Sequence, residues 1–580
     1  MESINNSIKT LDQILKENNR EYPGTLNEFL ERSVEKFKDR PALSKAFETP
    51  ITYKEFFEKV LKVADLLIEI GINKGDRVAI LGENSPNWGI SYFAIVRTGA
   101  IAVPMLPDFP EADIRHILLD SEAKLLFTTQ KQIEKVAYLD RLKLKHIITL
   151  DNFETDEHSL KIEPISNIID KAIDFIKKIP ETIGLKSKEV SEYDIASIIY
   201  TSGTSGHSKA VMLTHKNLVS NALACSLLME FDSEDTFLSI LPLPHTYEFT
   251  VGFLLALVNG SRIVYNDKPP TPRILEEICK KEKPNVICSV PLILEKIYKK
   301  KVLTVLEKNK LVKFITKIPG LKKKIYKKIK NKLVEFFGGE LKVIAIGGAS
   351  FNRDAEKFFK ESGFSYLIGY GLTETAPLIA GGPWGDKTVK LGSTGKVTPG
   401  CEMKIEGPDK KSGIGEICVR GPNIMKGYFK NPELTKEVMD EHGWLRTGDL
   451  GRFDKFENLH ITGRSKNMIL MSNGENIYPE SIEEKINSSI YVAESLVIEN
   501  NGIIEAWLYL DYDLIDEETK GKTEKQKLDF IEEVLQVIKN DVNVQLSTSS
   551  KISRIIEKKE PFVRTATHKI KRYLYTRSKK

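Results

Sequence analysis

The chain of 580 residues holds only five cysteines, Cys225, Cys279, Cys288, Cys401 and Cys418, with no CxxC pair and no metal-ligand spacing. That scarcity argues against a disulfide-framed scaffold and against a zinc site, and points to free thiols in a reducing compartment. Long apolar runs are missing as well. A membrane-crossing helix needs ~18 apolar residues, and the best candidate, 251–258, falls far short. The first residues, Met-Glu-Ser-Ile-Asn-Asn, have neither the basic start nor the apolar core of a secretion signal. There is no internal repeat and no low-complexity tract. A soluble cytoplasmic protein is expected, with 41% hydrophobic residues to fill its cores. The length suggests roughly two to four domains.

Charge is unevenly placed. Residues 299–332 contain 14 lysines and one acid, Glu307, a local +13 against +5 for the whole chain. The rest is acidic, so the excess positive charge belongs to one segment. Apolar residues within or just after it, among them Leu311, Phe314, Ile318, Leu321, Ile325, Ile329 and Leu333, fall three or four apart. This spacing predicts basic amphipathic helix, interrupted at Pro319-Gly320. Such a helix can lie on anionic lipid; a solvated helical insertion is the other reading. No nucleic-acid partner is expected.

The hydrophobic pattern alternates between strand and helix periods from residue 50 onward. Helices are predicted over 52–70, 87–98, 250–259, 274–283 and 352–362. Strands are predicted over 77–81, 101–103, 236–241, 261–265, 285–290, 342–346 and 365–369. This rhythm predicts an α/β fold of mostly parallel, helix-covered sheets. A more polar stretch occupies about 150–190, and short Gly-rich strands begin near 390. The expected division is a large N-terminal body over 1–463, with a small β subdomain from about 390, and a small α+β C-terminal lid over 464–580.

One loop stands out: Tyr200-Thr-Ser-Gly-Thr-Ser-Gly-His-Ser-Lys209. Glycines permit tight turns in which several N–H groups converge on one anion. The hydroxyls of Thr201, Ser202, Thr204 and Ser205 add donors, and Lys209 adds charge. The spacing is not that of a Walker A loop, and in isolation a flexible surface turn is the lesser of two readings. Strands predicted on both sides, 194–200 and 210–213, favour a built phosphate site. Ligands of parallel sheets collect beyond the carboxyl ends of the strands. His245, Gly347-Gly348-Ala349 and Gly369-Tyr-Gly-Leu-Thr-Glu374 all fall there.

With these motifs in order, the chain resembles the adenylate-forming superfamily of acyl-CoA synthetases, luciferases and peptide-synthetase adenylation domains. The likeness runs from about residue 25 to the end, continuing through Gly443-Trp-Leu-Arg-Thr-Gly-Asp449, Gly463-Arg-Ser-Lys466 and Lys569. It implies ATP and Mg²⁺ as cofactors, with coenzyme A as co-substrate. In that reading Thr201, Ser202, Gly203, Thr204, Ser205, Gly206 and Lys209 hold the phosphates. Glu374 coordinates Mg²⁺, with Thr204 as a further metal contact. Gly347, Gly348, Ala349, Gly369, Tyr370, Gly371 and Thr373 accommodate the adenine, and Asp449 and Arg464 the ribose. Lys569 is the catalytic lysine, and His245 orients near the acyl carboxylate. Lys466 is the hinge of a lid that rotates between half-reactions, bringing Gly474 to a pantetheine tunnel.

Three positions depart from the family pattern: Ser208 where proline is usual, Ala210 for glycine, and His568 for glycine beside the catalytic lysine. None removes a charged or metal-binding group, so they put rate and local geometry in question. Leu241-Pro-Leu-Pro-His-Thr-Tyr-Glu248 and Ser289-Val-Pro-Leu-Ile-Leu-Glu-Lys-Ile-Tyr298 look like long-chain fatty acyl-CoA synthetases in particular. Glu248 could be taken for the amine partner of an amino-acid adenylating domain, but the long-chain group also carries an acid there. The expected partners are a fatty acid, ATP and CoA. An acyl-carrier-protein ligase, another carboxylic acid as substrate and a catalytically silent lipid-binding protein are the alternatives. A homodimer stays open.

Overall fold

The computed structural model describes residues 9–136, 144–151, 189–201, 208–266, 268, 270–307, 318–471, 476–565 and 569–576. Two large sheets form the body, and alternation along their strands explains how they are covered. In the seven-stranded sheet, Val78 and Ile80 of strand Arg77–Leu81 face one core while Ala79 and Leu81 face another. In the nine-stranded sheet, Phe237, Ile263, Val286 and Val343 point to the first core. Leu238, Val264, Ile287 and Ile344 point to the opposite one. Both faces of each sheet are therefore apolar, as parallel strands between helices require.

Helices Leu26–Phe37, Tyr53–Glu69, Pro86–Arg97 and His215–Cys225 fill the shared core between the sheets. Tyr53–Glu69 begins with a reciprocal cap: the Thr52 hydroxyl accepts from the Glu55 N–H, and the Glu55 carboxylate accepts from the Thr52 N–H at 2.7 Å. Helix Pro319–Phe336 lies over the outer face of the nine-stranded sheet and supplies Ile329, Leu333 and Phe336 to the core there.

The predicted strands and helices of the body form with small shifts at their ends. One departure is the stretch predicted as helix over 250–259. It begins at Glu248 and runs as π-helix to Leu254 before continuing as α-helix to Asn259. Apolar periodicity reports a buried helical face but does not separate the two helix types. A second departure concerns the basic segment. Pro319 opens a helix as its first residue, where a missing N–H costs nothing. Residues 308–317 of that segment, including Phe314, and most of the polar stretch 150–190 lie outside the described residues.

Strands Glu402–Glu406, Gly415–Arg420, Leu445–Phe453 and Leu459–Arg464 form a four-stranded antiparallel sheet. Beyond it, Val492–Asn500, Ile503–Leu510 and Arg554–Lys558 make a three-stranded sheet. Helices Pro479–Asn487 and Glu524–Val544 cover that sheet, and its core, including Ile482, Ile486, Leu508, Ile531 and Ile538, is its own.

Two buried asparagines on helix His215–Cys225 tie the pieces of the body together. Asn221 donates to the Leu378 carbonyl at 2.7 Å and accepts from the Leu378 N–H at 3.0 Å. Asn217 donates to the carbonyls of Pro422 and Ile424, both at 2.8 Å. Replacing Asn221 with Ala strands a buried N–H, and unsatisfied buried groups of this kind cost about 2–4 kcal/mol together with the lost bonds. Asn221→Ala should lower the melting temperature by several degrees, measured by calorimetry, whereas Asn331→Ala on an exposed helix face should not.

Candidate active site

The carboxyl ends of the nine-stranded sheet, one edge of the four-stranded sheet and the C-terminal unit border a common cleft of about 1840 Å³. Thr201, Lys209, His245, Gly347, Gly348, Ala349, Gly369, Tyr370, Gly371, Thr373, Glu374, Asp449, Arg464, Lys466 and Lys569 all line it. Residues spread over more than 350 positions are thus brought to one space. Ser202, Gly203, Thr204, Ser205, Gly206 and Gly474 lie outside the described residues.

Asp449 is buried at the inner wall. Its carboxylate accepts the Tyr370 hydroxyl at 2.7 Å and is paired with Arg464 Nε at 3.0 Å. Strand pairing sets this geometry: Asp449 and Arg464 are register partners on adjacent antiparallel strands, while Tyr370 arrives on the nine-stranded sheet. Burial, followed by the nearby Asp449 charge, pushes the Tyr370 hydroxyl far above its ordinary value.

Glu374 sits in a single 3₁₀ turn, Thr373–Thr375. One of its oxygens accepts the Tyr428 hydroxyl at 2.8 Å, and Lys209 lies over the ring of that tyrosine at 5.0 Å. Burial lowers the Lys209 pKa, with Glu374 opposing that shift and Lys466 and Arg464 adding to it. Tyr428 was not singled out from the sequence. It is brought in by pairing of Gly427–Tyr428 with Val211 and Met212 next to Lys209, a contact that sequence spacing does not reveal.

Lys569 reaches the cleft from the C-terminal unit while keeping part of its side chain in solvent. Crowding by protein lowers its pKa, as does Arg464; Asp449 and Glu374 pull the other way. His245 is held neutral: burial and then Lys569 lower its pKa to about 4. Its Nδ1 accepts the Tyr247 N–H at 3.3 Å, which leaves the proton of the neutral ring on Nε2.

The glycines have internal reasons to be glycine. A Cβ on Gly371 would stand 1.8 Å from the Pro377 carbonyl oxygen, and Gly348 has a φ of +89°. A role toward adenine is therefore an addition to, and not the source of, these two requirements.

Glu248 is absent from the cleft wall and is buried behind it. Neither carboxyl oxygen has a well-formed hydrogen bond among the described residues, the Ser239 hydroxyl being only nearby, and Gly252 makes room for them, since a Cβ there would lie 2.5 Å from Oε1. This placement removes the amine-partner reading of Glu248.

A body of two helix-covered sheets, with a small unit carrying a lysine into its cleft, is an adenylate-forming architecture. The chain belongs to the AMP-binding enzyme family: it matches that family over residues 30–429 and the AMP-binding enzyme C-terminal domain over 466–578. By class it is an AMP-forming acid–thiol ligase. It is 29% identical over 480 residues to fatty acyl-CoA synthetase A of Dictyostelium discoideum, covering 77% of this chain and 69% of the relative. It is 28% identical over 497 residues to a long-chain-fatty-acid–CoA ligase of Escherichia coli O157:H7, covering 80% of each. A chloroplastic long-chain-fatty-acid–[acyl-carrier-protein] ligase of Arabidopsis thaliana is 29% identical over 547 residues, covering 80% of this chain and 73% of the relative. Among solved structures, the fold matches ATP-bound MatB from Rhodopseudomonas palustris with a TM-score of 0.73 at 23% identity, covering 95% and 98% of the two chains. It also matches the anthranilate CoA ligase AuaEII in complex with anthranoyl-AMP, with a TM-score of 0.76 at 20% identity, covering 96% and 98%.

Burial raises the Glu248 pKa to about 8, against a smaller opposing pull from the Ser239 hydroxyl. The folded state therefore keeps a proton that the unfolded state releases near its ordinary value, and stability falls as pH rises from about 5 to about 8. The Glu248→Gln variant lacks this titration. Its melting temperature should decline less than that of the wild type across this range, and parallel declines would show that Glu248 ionises freely in the fold.

Proposed function

We propose that the protein is a long-chain fatty acid–CoA ligase that activates its acid with ATP and passes the acyl group to the CoA thiol. The observation that carries this reading is the convergence of Lys209, Glu374, Asp449, Arg464 and Lys569 on one cleft. The long-chain preference is supported by the likeness to the long-chain-fatty-acid–CoA ligase of Escherichia coli O157:H7 and by the Leu241–Glu248 and Ser289–Tyr298 motifs.

In the first half-reaction a carboxylate oxygen of the fatty acid forms a bond to the α-phosphorus of ATP, and pyrophosphate leaves with the electrons of the broken P–O bond. The Asp449 carboxylate accepts hydrogen bonds from the ribose hydroxyls, with Arg464 fixing its orientation. Lys209 neutralises the outer phosphates, together with the loop that begins at Thr201. The neutral His245 ring offers Nε2–H toward the acyl carboxylate. Lys569 balances charge between carboxylate and α-phosphate as it redistributes.

Glu374 suits Mg²⁺: it is a hard oxygen ligand with one oxygen outside the Tyr428 hydrogen bond. No group of three or more metal-binding side chains exists among the described residues. That fits an ion held by one carboxylate plus phosphate oxygens and water. Bound there, Mg²⁺ supplies charge neutralisation on the phosphates. In the second half-reaction the CoA sulfur forms the thioester bond and AMP leaves. The C-terminal unit turns about the segment containing Lys466, withdrawing Lys569 and presenting Gly474 to the pantetheine arm.

An acyl-carrier-protein ligase shares every step of the first half-reaction, and the Arabidopsis relative favours keeping it as the second reading. Losing a charge contact made in the transition state costs about 10²–10³ in rate. Lys569→Ala should lose fatty-acid-dependent ATP–pyrophosphate exchange by that factor while converting supplied hexadecanoyl-AMP and CoA to thioester. Wild-type turnover should be highest with long-chain acids and with CoA as acceptor. Turnover with holo-carrier protein alone would select the second reading.

The basic segment is proposed as a peripheral contact with anionic membrane. Ile325 was read as part of an apolar face available to lipid, but it packs against the protein core beside Ile329 and Leu333. The attraction is therefore mainly electrostatic. Lys323, Lys324, Lys327, Lys328 and Lys332 are exposed and form no ion pair among the described residues, and Leu321 stays exposed beside them. Lys322 is occupied by Glu361 at 2.6 Å. No helix among the described residues is long and apolar enough to cross a membrane. Each lysine near an anionic surface contributes about 1 kcal/mol, screened over ~10 Å at 0.1 M salt. Sedimentation with phosphatidylserine vesicles, and not with phosphatidylcholine vesicles, is expected, with release by high salt. Changing the five lysines to Gln should abolish it; unchanged sedimentation would mark the helix as a solvated surface.

A further inference from the structure

Lys299 is set apart from the lysine-rich segment that it opens. Its ammonium turns inward and donates to two backbone carbonyls of the C-terminal unit, Ser489 at 3.1 Å and Val492 at 3.0 Å. Ser489 follows directly on the end of helix Pro479–Asn487, whose cap is Ser488. The last carbonyls of a helix carry its negative pole, and a cation there is favoured. Glu295 and Asp511 also lie close to this ammonium.

Two neighbours on the body grip the same helix. Asn352 Nδ2 donates to the Ser488 hydroxyl at 2.9 Å, while its Oδ1 caps helix Arg353–Ser362 by accepting from Asp354 and Ala355. Its own N–H donates to Glu295 at 2.9 Å, so the side chain is fixed from both ends. Arg353 Nε pairs with Glu484 at 3.0 Å.

The gripped helix in turn holds the segment that carries the cleft lysine. Glu483, buried on its inner side, pairs with Arg572 and accepts the Val497 N–H at 2.6 Å. Arg572 is three residues beyond Lys569 and its N–H returns to the Ile570 carbonyl at 3.0 Å. A set of polar contacts therefore runs from Lys299, Asn352 and Arg353 through helix Pro479–Asn487 to Arg572 and the Ile570 carbonyl, one residue along the chain from Lys569.

We propose that Lys299, with Asn352 and Arg353, is a positioning latch that holds the C-terminal unit in the orientation that places Lys569 in the cleft. The inference rests on the two-orientation reading of the lid given above. The latch consists of hydrogen bonds and one ion pair, which water can replace when the unit turns away, so it sets a preference without locking the fold. Polar interfaces between domains are the ones that permit relative motion. Lys299 and Arg353 border the same cleft but are engaged with the C-terminal unit, so in this reading they act through Lys569.

The test separates the half-reactions in Lys299→Met, Lys299→Arg and Arg353→Met, with Lys569→Ala as reference. Loss of one charged hydrogen bond corresponds to about tenfold in an equilibrium. Lys299→Met should lose about tenfold in kcat for ATP–pyrophosphate exchange with little change in KM for ATP. Thioester formation from hexadecanoyl-AMP and CoA should be unchanged or faster. Lys299→Arg should recover most of the exchange rate. Arg353 is largely exposed, so its variant keeps the question open to measurement if Lys299→Met folds poorly, and it should show the same asymmetry more weakly. Equal loss in both half-reactions, or no loss in either, overturns the latch. If Lys569→Ala separates the half-reactions and the latch variants do not, the latch alone fails. If Lys569→Ala does not separate them, the two-orientation reading fails and takes the latch with it.

Discussion

The buried carboxylate of Asp449 joins parts of the chain that otherwise belong to different layers. It receives the hydroxyl of Tyr370 from the nine-stranded sheet and the guanidinium of Arg464 from the last strand before the C-terminal unit. A buried anion of this kind is stable only while its partners stay in place. The same constraint that holds the four-stranded sheet against the body therefore fixes where the connection to the C-terminal unit leaves it. The cleft wall and the direction from which Lys569 enters are both referred to this one group.

Charge balance around it is deliberately uneven. Lys209, Arg464, Lys466 and Lys569 face Glu374 and Asp449 across the same space. Burial is the first cause of the lowered pKa of Lys209 and Lys569; neighbouring cations add to it, while Glu374 opposes it at both lysines and Asp449 also opposes it at Lys569. Tyr428 keeps Glu374 oriented within this field, and a neutral His245 adds a hydrogen-bond donor without adding another positive charge.

The contrast between Glu248 and Lys299 shows how much depends on which way a charged side chain turns. Both stand in or beside motifs that suggest a role with substrate. Glu248 turns behind the cleft wall and is buried without a well-formed hydrogen bond to its carboxyl among the described residues. Lys299, one lysine among many in its stretch of sequence, turns to the C-terminal unit and meets two carbonyls. The residue types alone do not distinguish a solvated charge, a buried one and an interdomain contact.

The layered α/β body was legible in the chain alone. Alternating apolar residues such as Val78, Ala79, Ile80 and Leu81 require a strand covered on both faces, and this local requirement is met wherever the strand lies. Motifs from Lys209 to Lys569 were legible from their order along the chain and its likeness to a family, and the structure gathers those it describes along one cleft. The π-helical start at Glu248, the bridge made by Tyr428 and the grip of Lys299 on helix Pro479–Asn487 were decided only by tertiary structure. Each depends on a partner more than 50 residues away or on hydrogen-bond register within a buried helix, and neither leaves a periodic signal in the chain.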